Sequence, residues 1–397
     1  MNNRRLAISL LLLLFVSALG FSSSTHSLSI SSSQSTRTMI TSQVDSPISI
    51  GSNAELSELS TAGVGTRSDP YIIEGKVING RTCVYIHDTT SSFILRNSEF
   101  TFNSTGITGI GTSVIRLENT EDGVIENCYV RGGDIAIELR VVSNCSIINS
   151  IAFDAYRGIL LDTATNCTII DSSIFDNSIG IMAVNSDSCT IINNTIYANY
   201  QRGVHVEVFC EDNTIFGNAI GWNSVQNARD NGENTVFTDG VSIGNGWSDY
   251  NSSEEYSIPG TGGSIDPYAT LLFDSIPPTV FGLFDIVVDV DHNDETITWS
   301  ASDNFPKHYQ IYVEDLLEED NVWDGSDISF SLEHLPLGTY TITLNLTDGS
   351  GNMGSDEVVV SVISFLLGGI GTELVMYASG VTMVCFVVII LLVKRFA

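Results

Sequence analysis

Basic residues are scarce in this chain. Of 397 residues only 16 are Lys or Arg, against 47 Asp or Glu, and the formal net charge is −31. Lysine occurs three times, at Lys76, Lys307 and Lys394. Binding to nucleic acid or to an anionic membrane surface needs Lys and Arg to neutralise phosphate, so this balance excludes both for the body of the protein. It suits a soluble surface facing salt or divalent cations. Paired cysteines are missing too. Cys83, Cys128, Cys145, Cys167, Cys189, Cys210 and Cys385 include no CxxC, which argues against a zinc ribbon. No cysteine follows the N-terminal apolar run, so a lipoprotein anchor is not expected. No Met-rich or His-rich tract occurs, and the six histidines are scattered.

The two ends fix the compartment. Arg4 and Arg5 precede an apolar run from Leu6 to Val16 and small residues at Ala18 and Gly20, the layout of a signal peptide over 1–20. A Ser/Thr-dominated stretch over 21–47 has nothing to bury and reads as a flexible stalk. Near the other end, Leu374 to Val393 carries no charge and is followed by Lys394 and Arg395. At about 1.5 Å per residue it spans about 30 Å, the thickness of the hydrocarbon layer. Basic residues stay inside, so 374–393 predicts a single membrane span, 394–397 a short cytoplasmic tail, and the body a cell-surface location. Six Asn-x-Ser/Thr acceptors, at Asn103, Asn144, Asn166, Asn193, Asn251 and Asn345, all fall in that outer part.

Between the ends lies a repeat. Ile115, Ile137, Ile159 and Ile181 are spaced by 22 residues, each opening a short apolar alternation, and Val204 continues the series. Ile125, Ile147, Ile169 and Ile191 keep the same beat, with small or amide residues three positions on at Cys128, Ser150, Ser172 and Asn194. Such short strands alternate with period two, and no single unit can bury its own apolar face. Units must stack about 4.8 Å apart, which makes columns of identical residues. The pattern predicts an all-β fold: a right-handed parallel β-helix of roughly six or seven coils over 48–272. Gly158, Gly180 and Gly203 are expected to supply turns, and Thr101 to Thr112 to hold an insertion.

The flanks of the repeat carry a family resemblance. The segments from Gly63 to Ile78 and from Asn223 to Tyr250, continued by Tyr256 to Tyr268, resemble the opening and closing parts of NosD-like periplasmic copper-binding β-helix proteins. The resemblance implies a β-helix and a role in copper insertion, on a fold also used by polysaccharide lyases and hydrolases; fold alone does not decide among these. After Pro277-Pro278 the pattern changes to short strands and turns over 277–362, which predicts an immunoglobulin-like β-sandwich with Trp299 and Leu344 in its core and Tyr340 as a tyrosine-corner residue. That segment contains no cysteine. It is expected to act as a spacer between membrane and β-helix.

Four constellations carry the candidate chemistry. On stacked coils Glu118, Arg140 and Asp162 become neighbours; they are the candidate catalytic group of a lyase or hydrolase, and equally a ladder of cross-strand ion pairs. Phe153, Phe175 and Tyr197 stack with Asp154 and Asp176 beside them, either a platform for sugar rings or a packed corner. Cys145, Cys167 and Cys189 form a column read as core filler, as a disulfide between two rungs, or as a copper(I) ligand set. The acidic loops from Asp289 to Glu295 and from Asp348 to Asn352 offer oxygens to Ca2+, or are solvated turns. No other cofactor is expected. The reading that fits best is a membrane-anchored surface protein that binds glycans or neighbouring proteins without catalysis; a polysaccharide lyase or hydrolase and a copper-handling accessory are the alternatives.

Overall fold

The computed structural model describes residues 44–103, 111–251, 254–289 and 295–364. The expected signal peptide, most of the Ser/Thr stretch, the 374–393 span, the 394–397 tail and part of the 101–112 insertion lie outside them. Among the described residues no helix is long and apolar enough to cross a membrane.

The 22-residue beat becomes a parallel β-solenoid. Its first sheet has eight strands among the described residues, so the stack exceeds six or seven coils. Ile115, Ile137, Ile159, Ile181 and Val204 pair in register as one column. All are buried, because alternate residues along each strand face inward. A second, fourteen-stranded sheet bends around two sides of the solenoid. The long strand Gly123–Arg131 shows how: its first half pairs with Ser146–Ile148 and its second half with Ile151–Phe153. In later coils the corner breaks the strand in two. The residues at that corner, Asn127, Asn149, Asp171 and Asn193, all have positive φ, a conformation Asn and Asp tolerate better than other non-glycine residues.

The small and amide positions of the repeat form one hydrogen-bonded ladder. The Cys128 N–H donates to Ser150 Oγ, Ser150 to Ser172 Oγ, Ser172 to Asn194 Oδ1, Asn194 to Asn218 Oδ1 and Asn218 to Asn245 Oδ1. The last rung is a carboxylate: Asn245 N–H donates to Asp266 Oδ2 at 2.7 Å, and the Trp247 indole donates to the same oxygen. Each corner amide is thereby satisfied where water has no access.

Gly158, Gly180 and Gly203 lie within strands and not at turns. A Cβ on Gly158 would sit 2.7 Å from the Gly180 carbonyl oxygen, and one on Gly180 2.6 Å from that of Gly203. Close approach of successive coils is the reason for glycine there. At the N-terminal end the short helix Asn53–Leu59, capped by Ser52 and absent from the sequence reading, buries Leu56 against the first coils.

The chain beyond Pro278 forms three-stranded and five-stranded sheets around a second core that contains Trp299, Trp323, Ile342 and Leu344. Tyr340 donates its hydroxyl hydrogen to the Pro336 carbonyl four residues upstream, the bond expected of a tyrosine corner. This two-sheet unit is no detached spacer. Phe305 packs on the flank of the solenoid, 5.5 Å from the Tyr197 ring and 4.8 Å from Trp222, and Tyr197 donates its hydroxyl hydrogen to the Pro306 carbonyl.

Candidate functional site

Outward positions of the eight-stranded sheet line up into columns. One runs Tyr85, Arg116, Glu138, Leu160, Met182, His205 and Arg229. The next holds His87, Glu118, Arg140, Asp162 and Val184. Because rungs repeat every strand spacing, opposite charges one rung apart come within reach of each other. Arg116 meets Glu118 at 3.0 Å and Glu138 at 3.6 Å; Arg140 meets Glu118 at 3.7 Å and Asp162 at 3.6 Å. The structure therefore brings Glu118, Arg140 and Asp162 together. Beside them is a concavity of about 270 Å³, whose lining includes Arg140, Arg157, Leu160 and Met182.

Two supports escaped the sequence reading. Tyr85 donates its hydroxyl hydrogen to Glu118. Ser113 donates to Glu138, whose side chain is nearly buried. Tyr85 was legible as the outward residue between Val84 and Ile86; Ser113 precedes its strand's alternation and carried no signal. The hydrogen bond from Tyr85, reinforced by Arg116, holds the Glu118 carboxyl below the usual carboxylate range despite partial burial. A general acid needs the opposite shift, towards neutrality. Glu118 is thus an anion paired with Arg116 and Arg140, which does not suit it as a general acid.

The aromatic column is where the expectation of a sugar platform fails. Phe153, Phe175 and Tyr197 do stack in register, with centroids 5.2 and 5.1 Å apart. All three are about 1% exposed, however, because Phe305 and Val322 of the two-sheet unit cover them. Asp176 is buried beside them, and burial raises its carboxyl pKa. Asp154 is exposed but ion-paired to Arg131 at 3.0 Å. The column is an internal docking surface.

Cys145, Cys167 and Cys189 point inward, all buried and all free thiols. The column does not titrate as one: Cys167 and then burial raise the Cys145 thiol, whereas the contact with Cys167 lowers that of Cys189. No disulfide joins the rungs. Of the sequon residues, Asn103, Asn144, Asn166, Asn193 and Asn251 are exposed and Asn345 is half-buried in the strand Gly338–Asp348.

The Asp348 loop, expected to offer oxygens to Ca2+, folds onto its own carboxylate. Asp348 is fully buried, and its Oδ1 accepts from the Gly351 and Asn352 N–H groups and the Ser350 hydroxyl. Asp274 and Asp303 place carboxylate oxygens within 4.8 Å of it and of each other. This is the hard donor type that Ca2+ takes. Most of the Asp289 to Glu295 loop lies outside the described residues.

Comparison with known proteins bears on the solenoid. The profile of a family described as "Periplasmic copper-binding protein (NosD)" matches residues 31–252. No curated protein matches the chain in sequence. Similar solved structures include the periplasmic alginate epimerase AlgG, at 14% identity and a TM-score of 0.32, covering 55% of this chain and 45% of that one. An alginate lyase from Paenibacillus sp. str. FPU-7 gives 13% identity and a TM-score of 0.31, covering 55% of this chain and 98% of that one. The enzymatically active domain of tailspike protein 2 from bacteriophage CBA120 gives 10% and 0.32, with 73% and 58% covered. The chain thus spans less than half of the epimerase. Likeness at this level concerns fold and transfers no substrate.

Proposed function

The chain belongs to the NosD family, and from that premise we propose that it is a surface β-helix that binds glycan or a neighbouring surface protein without catalysis. The body stands outside the membrane on the single 374–393 anchor. The two-sheet unit, read as immunoglobulin-like, sets the orientation of the solenoid by clamping its flank. Binding uses the outer face of the eight-stranded sheet. The observation that carries this reading is the charge network of Glu118, Arg140 and Asp162 beside the concavity, left open while the aromatic column is covered.

Copper, which the family's description names, finds no fitting donor set among the described residues. The stacked thiols are buried in the apolar core, and their three sulfurs do not come close enough together to share one ion. The one group of three or more close His, Cys, Asp or Glu ligands among the described residues is the all-carboxylate trio of Asp274, Asp303 and Asp348. Carboxylates suit harder ions.

A screen of the full-length protein against immobilised neutral and acidic glycans, with the supernatant assayed for cleaved chain ends, tests the reading. Retention without cleavage, lost in Arg140→Ala, is expected. Cleavage that disappears in Glu118→Gln would instead establish a lyase or hydrolase.

A further inference from the structure

Along the proposed binding face the C-terminal rungs differ from those before them. In the earlier rungs each guanidinium has a carboxylate: Arg116 and Arg140 as described, and Arg157 with Asp134 at 3.7 Å. Farther along, Arg202 and Arg229 are half-buried and have no ion-pair partner among the described residues. The polar partner of Arg202 is a neutral one, the Gln226 side-chain oxygen, 3.4 Å from its Nε.

His205 lies at the same place. It pairs with Met182 on one side and Arg229 on the other, and Arg202 is three residues earlier on its own strand. The side chain is 8% exposed, and neither ring nitrogen has a hydrogen-bond partner. Glu207 Oε1 is 3.4 Å from Nε2 but outside hydrogen-bonding geometry. An orphaned polar ring at that burial carries a cost that a ligand atom could remove.

An imidazole beside a thioether invites a soft metal, but the neighbouring charge decides otherwise. Two unpaired guanidiniums against one carboxylate repel a cation and attract an anion. That local balance is the reverse of the whole chain, which carries −31. A polyanion repelled by the rest of the surface has a favourable landing point here.

We infer that Arg202, His205 and Arg229 form a receptor for one oxyanion group, the carboxylate or sulfate of an acidic saccharide lying along this face. The inference rests on the glycan reading above and narrows it to an acidic sugar. The guanidinium forks hold the planar or tetrahedral oxyanion, and its oxygen supplies the acceptor that the His205 ring lacks. Leu160 and Met182, in the same outward column, give the sugar an apolar floor next to the charged point.

Calorimetric titration of the full-length protein in detergent tests this, with hexagalacturonate, a sulfated hexasaccharide, maltohexaose and inorganic sulfate as probes. Wild type should bind an acidic hexasaccharide, and the galacturonate and sulfated arms tell which oxyanion is preferred. Arg229→Gln and Arg202→Gln, checked for unchanged melting, should each weaken it about tenfold, the usual worth of a charged hydrogen bond. Maltohexaose should bind no better to wild type than to the variants. Equal affinity for neutral and acidic sugars, or unchanged affinity in both variants, overturns the oxyanion receptor and leaves the glycan reading standing. Sulfate binding that depends on Arg229, with no saccharide bound, retains the receptor and overturns the glycan reading.

Discussion

Asp303 sits where the two-sheet unit meets the end of the solenoid, and its carboxyl is pushed up to about 6 by burial and by the neighbouring charges of Asp348 and Asp274. A carboxyl with a raised folded pKa binds its proton more tightly in the native state than in the unfolded chain. Its contribution to stability is therefore complete below the ordinary carboxylate range and is lost as pH rises to about 6. The phenomenon has a clean control, because Asparagine can keep the acceptor for the Phe305 N–H. Melting temperature measured between about pH 4 and pH 7 should fall more in wild type than in Asp303→Asn. Parallel curves would show that Asp303 titrates normally. At the same scale, Gly158 and its partners show where local rules mislead. A recurrent glycine before a strand reads as a turn from sequence, yet here the reason is a neighbouring carbonyl 2.7 Å from where Cβ would be, a contact made only once the coils are stacked.

Among elements, the columns were legible and their surroundings were not. The isoleucine beat at 22 residues is a local signal repeated until its register is unambiguous, and Phe153, Phe175 and Tyr197 followed from the same count. What covers that aromatic column did not follow. Phe305 lies more than a hundred residues beyond Tyr197 in sequence, in a different unit, and no periodicity links them. The charged site divides the same way: Glu118, Arg140 and Asp162 share a register, whereas the lack of a carboxylate at Arg202 and Arg229 and of a hydrogen bond at His205 emerges only from what fails to pack against them. Phe175→Ala tests the docking surface. Removing a ring stacked on two others should cost about 3–5 kcal/mol. It should also speed limited proteolysis near Phe273 and Ile276, which are exposed in the segment joining the two units. An unchanged melt with unchanged proteolysis would mean that the clamp is not made by this column.

For the molecule as a whole, the net charge, the covered flank and the open face make one account. A chain with 47 acidic residues repels polyanions over most of its surface, and it concentrates Arg116, Arg140, Arg157, Arg202 and Arg229 on the outer side of one sheet. The two-sheet unit closes the aromatic flank and so leaves that sheet as the face to present outward. Hydroxyl-radical footprinting of the intact protein, with and without an acidic hexasaccharide, tests this most directly. Met182 and Tyr85 are reactive reporters on the face, and Phe209, Phe281 and Phe284 are exposed reporters outside its columns. The account predicts ligand-dependent protection at Met182, with the three phenylalanines unchanged. Protection at those phenylalanines while Met182 stays reactive would contradict it.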